Sequence, residues 1–269
     1  MNRNLFLKEM RRNAFSFILW MLAITLLISL TMSVYPTFFQ NQSKVLGMMN
    51  LVPRGALQFK GISDFNDLLS VLGFYAVNNI IYMMVLGSIF AIVLSSNILL
   101  KEEYQKTAEY LFTRPLTRKE IFLTKLTVVI FYVFALNLVT ALAGFICIGL
   151  VKTETYNIQA FMILSIYTFL LNMLFGALGL FLSALVKRPR PVTTFSIGLV
   201  LVLYFIYTLS KITDSAAGIG YLSPFKYVRM DVINPAYRLD FWKGLYFSGI
   251  TLLLVVIAYR LYSRKDIFV

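Results

Sequence analysis

An all-α membrane protein with six transmembrane helices is the fold class the sequence predicts, on three observations. Hydrophobic residues make up 59% of the 269 residues and charged residues only 14%, against about 25% charged in a typical soluble domain. Mean hydropathy is +0.77, so the chain has too few polar side chains to clothe a soluble core. The charges fall in short blocks separating six uncharged runs: Arg12 to Lys44, Asp67 to Lys101, Lys125 to Lys152, Glu154 to Lys187, Arg190 to Lys211, and Lys243 to Arg260. A helix needs about 20 mostly apolar residues to cross the hydrocarbon.

Taken in order, the first run begins after a basic stretch, which invites a signal-peptide reading. The uncharged run Asn13 to Phe39 is too long for that, and no small-residue cleavage pattern follows it, so it reads as a retained span. Residues 1–13 place Leu5, Phe6 and Met10 among Arg3, Lys8, Arg11 and Arg12. That composition predicts a short amphipathic helix in the inner headgroup layer. Trimmed to a bilayer, the spans are about 15–35, 71–99, 126–150, 160–185, 191–210 and 242–260, in one domain over residues 1–269. The second and fourth runs exceed one crossing and must tilt or continue beyond the lipid. The sixth is flanked by Trp242, Tyr246, Tyr259 and Tyr262, which suit the interfaces.

Lys and Arg set the orientation. With both termini on one side, that side carries 16 basic residues in short segments and the other 9 in longer ones. The denser side is cytoplasmic, so both termini are cytosolic. The external connections, 40–67 and 211–241, are long and partly apolar. They predict segments lying on, or dipping into, the outer leaflet, the second broken by Pro224 and Pro235. Residues 151–158 form a simple turn.

Several functions are disfavoured. The net charge of +13 fits basic cytoplasmic loops and anionic lipid better than nucleic acid. The chain has no histidine, and its single cysteine, Cys147, falls mid-span, which argues against zinc and haem. No acidic, basic or histidine side chain lies well inside a span. That weighs against ion-coupled transport and against intramembrane catalysis. Neutral polar residues do lie there, among them Asn78, Asn79, Asn137, Asn172 and Thr194. They serve either as hydrogen-bonding glue between helices or as lining for a pathway. Gly176, Gly179 and Ser183 form a small-residue seam on the fourth span, for packing or for a dimer surface.

The connection between the second and third spans carries the most information. Ala108, Leu111 and Phe112 fall on one face of a short helix. Pro115 disfavours helix at Arg114. Thr117-Arg-Lys-Glu120 is a capping box that starts a new helix. Either a surface helix for a soluble partner or a solvated charged hairpin satisfies this pattern.

This stretch resembles the characteristic segment of ABC-2 type transporter permeases. Glu102 or Glu103, Thr107, Glu109, Leu111, Pro115, Arg118 and Lys125 match it in order, with Lys106 where a Gly is usual. The basic N-terminus, Pro53 in the first external loop, Ser223-Pro224-Phe225 before the last span, and Arg264-Lys265-Asp266-Ile267 at the end extend the likeness over nearly the whole chain.

The resemblance implies half of an ATP-driven exporter in the cell membrane, of the bacterial kind. A second permease copy or a paralogue would complete it, and two copies of a cytosolic P-loop ATPase would energise it. Residues 102–120 would then form the coupling helix, with Glu102, Glu103, Thr107, Glu109, Leu111, Phe112, Arg114, Pro115, Arg118 and Lys119 meeting the ATPase. Lys8, Arg11 and Arg12 of the interfacial helix would lie beside them. Ser223, Pro224 and Phe225 would belong to a partly re-entrant external cap. The chain has no G-x-x-x-x-G-K-[ST] motif. It is therefore not expected to be an enzyme or to bind a cofactor, and ATP and Mg belong to the partner. The Phe-, Tyr- and Met-rich spans favour an amphipathic cargo, with a peptide toxin or antimicrobial peptide as the leading candidate. An ion-coupled carrier and a non-transporting immunity or scaffold protein are the alternatives.

Overall fold

A computed structural model describes residues 3–41, 43, 44, 47, 69–100, 117–152, 155–186, 189–212, 216–228 and 240–264. Six helices in it are long and apolar enough to cross a membrane: α1 (Arg3–Gln40), α2 (Val71–Ile98), α3 (Arg118–Val151), α4 (Ile158–Leu185), α5 (Pro189–Ile212) and α6 (Phe241–Arg264).

The starts follow local chemistry. The Ser70 hydroxyl accepts from the Gly73 N–H and caps α2. The Thr117 hydroxyl accepts from the Glu120 N–H, and the Glu120 carboxylate accepts from the Thr117 N–H, completing the expected capping box of α3. The Asn157 side chain caps α4 through the Ala160 N–H. Pro189 opens α5, where a missing N–H costs nothing. Residues Ala76–Ile80 within α2 form a π turn, which places one extra residue in the helix.

α1 differs from expectation. Instead of an interfacial helix followed by a separate span, its 38 residues form one continuous helix, about 57 Å long. No Gly or Pro interrupts residues 3–35, and the Asn13 side chain bonds back to the Glu9 carbonyl at 2.9 Å. Pro36 falls in the final turns and does not end the helix. The basic turns thus project from the span along its own axis.

α2 and α4 form the centre. In each, 61% of the apolar window is buried, against 11% in α6. α1 lies against α3, α5 against α2, and α6 against α4. The seam of α4 resolves as packing inside the protomer. A Cβ on Gly179 would stand 2.6 Å from the Ile92 carbonyl oxygen of α2, and one on Gly87 of α2 would stand 2.6 Å from the Asn172 amide nitrogen of α4. Glycine at these positions lets the two backbones approach. Phe15, Leu22, Leu26 and Leu30 on α1, and Leu252 and Leu253 on α6, remain exposed, as lipid-facing side chains do.

Candidate coupling end and intramembrane polar network

The start of α1, the end of α2, the start of α3 and the end of α6 meet at the Lys- and Arg-rich end of the bundle. Glu9 on α1 is fully buried and accepts two bonds from the Arg12 guanidinium, at 2.7 and 2.6 Å. Lys125 on α3 is also fully buried. Its Nζ donates to the Ile98 carbonyl at 2.6 Å and lies 4.0 Å from Glu9 Oε1. Ile98 is the last helical residue of α2, so the ammonium meets the negative end of that helix dipole. The Tyr132 hydroxyl donates to the Met10 carbonyl. Arg118 Nη1 donates to the Ser263 carbonyl of α6 at 2.9 Å.

Of the residues expected to meet an ATPase, Glu102, Glu103, Thr107, Glu109, Leu111, Phe112, Arg114 and Pro115 lie outside the described residues, as do Pro53 and residues 265–267. Arg118 is half-buried and tied to α6, whereas Lys119 is exposed. Lys8 and Arg11 are exposed, while Arg12 turns inward to Glu9. The sequence reading missed Glu9. It is the only acidic residue among the first 63, and a lone carboxylate in a basic stretch was the available signal.

The intramembrane polar residues divide. Asn172 of α4 donates to Asn137 Oδ1 of α3 at 3.1 Å and accepts from the Ser88 hydroxyl of α2 at 3.1 Å. The Asn137 amide also donates to the Val133 carbonyl. These three bond α2, α3 and α4 together inside the protomer. Asn78 donates to the Phe74 carbonyl of its own helix. Asn79, in the π turn, is fully buried, with no hydrogen-bond partner among the described residues for either amide atom. Thr194 on α5 is exposed. Between α2, α3 and α4, Tyr75, Asn137, Thr140, Ser165 and Thr168 line a small cavity. The Thr140, Ser165 and Thr168 hydroxyls donate to carbonyls of their own helices, so toward the cavity they offer acceptor lone pairs.

Truncating Asn172 removes the acceptor of Ser88 and the donor to Asn137. In a double-mutant cycle with Asn137→Ala, Asn172→Ala is expected to show a coupling energy of about 0.6 kcal/mol, the average for such bonds in membranes. Unfolding in mixed micelles measures it; strictly additive losses would refute the bond.

The described part of the connection between α5 and α6 packs back against the bundle. Its two short 3₁₀ turns span Ile219–Leu222 and Pro224–Tyr227. The Ser223 hydroxyl donates to the Leu203 carbonyl of α5 at 2.7 Å. Leu203 lies nine residues before the end of α5, about 14 Å down its axis, so the segment runs back beside that helix. Phe225 is fully buried, with ring centroids 5.2 Å from Phe175 and 5.4 Å from Tyr204. Tyr227 stacks on Tyr246 of α6 at 4.2 Å. Lys226 lies 3.5 Å from the Tyr221 ring centroid and donates to the Ala217 carbonyl.

No curated protein matches the chain. The sequence profile of the family described as ABC-2 family transporter protein matches residues 3–267. That covers nearly the entire chain and fits the six apolar helices, so the chain belongs to the ABC-2 transporter family and is the multi-pass transmembrane subunit of an ABC transporter, a family that implies a partner ABC ATPase.

Proposed function

We propose that the chain is one half of an exporter that moves an amphipathic cargo, with a peptide toxin or antimicrobial peptide as the best candidate. Two copies of a separate cytosolic ATPase hydrolyse ATP, with Mg, and drive it; a second permease copy or paralogue completes the conduit. The observation that carries this reading is the bundle end where α1, α2, α3 and α6 are tied by Lys125, which bonds the Ile98 carbonyl and faces Glu9, and by Arg118, which bonds the Ser263 carbonyl. A connection anchored between rigid helix ends can pass a push from a docked protein to several helices at once. No acidic, basic or histidine side chain lies in the middle of a span, which favours an external energy source over an ion gradient. The aromatic and aliphatic surfaces suit an amphipathic cargo better than a small ion.

Co-expression with the candidate ATPase tests the reading. The two proteins are expected to co-purify, with ATPase activity present in the complex. Replacing Glu109, Arg114 and Pro115 together by alanine is expected to weaken docking by about tenfold or more, the range for interface anchors. Unchanged docking of that triple variant, or the absence of any complex, would sink the proposal. A screen of amphipathic peptides for stimulation of the ATPase then addresses the cargo.

A further inference from the structure

We propose that Lys125 is a positioning residue which, with Glu9, locks the first turns of α1 to the end of α2 and the start of α3, so that these three helix ends move as one body. The importance of this motion for transport rests on the reading above; the lock itself does not.

The contacts meet at one ammonium group. Lys125 is carried by α3, donates to the last helical carbonyl of α2, and faces the α1 carboxylate. Neither Lys125 nor Glu9 is exposed, so water does not screen the pair as it screens a surface ion pair. Arg12 holds the same carboxylate from within α1 through two bonds, which fixes its direction. A carboxylate flanked by two cations favours this arrangement over one in which α1 has swung away. The Tyr132 hydroxyl ties α3 to Met10 independently, so the pair governs the turns of α1 that lie N-terminal to that point. Arg118 extends the same body to α6. Without the Lys125–Ile98 bond, motion at the end of α2 would dissipate at the joint.

The test uses the full chain in lipid nanodiscs, with Cys147→Ala as background and spin labels at Leu7→Cys and Leu123→Cys. Both positions are exposed, on α1 and α3 respectively. One narrow distance distribution is expected for the native pair. Lys125→Met keeps the apolar stem but loses the donor, and is expected to lose that single narrow distribution. Lys125→Arg keeps the charge and a donor, and is expected to restore it. If Lys125→Met does not fold, Glu9→Gln carries the same test, because it preserves shape and an acceptor for Arg12.

In complex with the ATPase, ATP plus vanadate is expected to shift the label distance in the native protein and in Lys125→Arg. The shift should be lost in Lys125→Met even though ATP is still hydrolysed. A distribution in Lys125→Met as narrow as the native one overturns the lock, as does an undiminished shift with ATP and vanadate. If ATP and vanadate move nothing in the native complex, the exporter reading fails, while the distributions of the chain alone still decide the lock. A merely stabilising role would lower the melting temperature without separating hydrolysis from movement.

Discussion

Gly179→Leu is expected to prevent α2 and α4 from pairing and so to leave little folded protein in the membrane. The added Cβ would stand 2.6 Å from the Ile92 carbonyl oxygen and 3.0 Å from the Ser96 amide nitrogen. Both are backbone atoms in the core of α2, and neither can yield unless a helix shifts. Overpacking a core costs about 1–3 kcal/mol, occasionally more, and here the strain falls on the most buried pair of spans. The neighbouring seam position gives the control. A Cβ on Gly176 meets only Val129 Cγ1, at 3.4 Å, so Gly176→Ala should be close to neutral. Yield and melting temperature by fluorescence-detected size exclusion distinguish the two. A monodisperse Gly179→Leu protein with native melting would contradict the assigned contact.

Phe225→Ala is expected to release the segment that holds the two 3₁₀ turns from α4 and α5. The side chain is fully buried against Phe175 and Tyr204. Aromatic truncations in cores cost about 3–5 kcal/mol, more than the hydrogen bond from Ser223 to Leu203 can offset, since such bonds contribute about 1 kcal/mol. In a Cys147→Ala background, Ser223→Cys provides the readout, because Ser223 has no exposed surface. A membrane-impermeant maleimide should react slowly with that cysteine when Phe225 is present and rapidly after Phe225→Ala. Equal rates would show that the segment is held by other means.

The features legible in the sequence were those written in nearby residues. Thr117 and Glu120 stand three apart and bond as a capping box must. The six spans follow from uncharged runs whose length is set by the bilayer. Ser223-Pro224-Phe225 stood out between the fifth and sixth spans, but its position beside Leu203 depends on a bond across 20 positions. What stayed hidden depends on which faces meet. Lys125 reads as a boundary charge, and only the packed bundle places its ammonium against Ile98 and Glu9, 27 and 116 positions away along the chain. The seam of Gly176, Gly179 and Ser183 was visible as a run of small residues, but its neighbours, α2 at Gly179 and α3 at Gly176, were not. α1 was divided too early because basic composition suggested an interface, whereas the absence of any helix breaker decided for continuity. Asn137 and Asn172 stand on different helices, and only the packed bundle shows that they bond each other.

The π turn at Ala76–Ile80 gives α2 two phases. One inserted residue turns the outer portion of the helix by about 100° relative to a regular α-helix, so a single helical wheel drawn over Val71–Ile98 assigns the wrong face to one side of the turn. A one-residue deletion there would restore ordinary α geometry without disturbing the portion that packs on Gly179. Residue-by-residue correspondences carried along α2 from one relative to another therefore hold on each side of Asn79 only when the two sides are aligned separately.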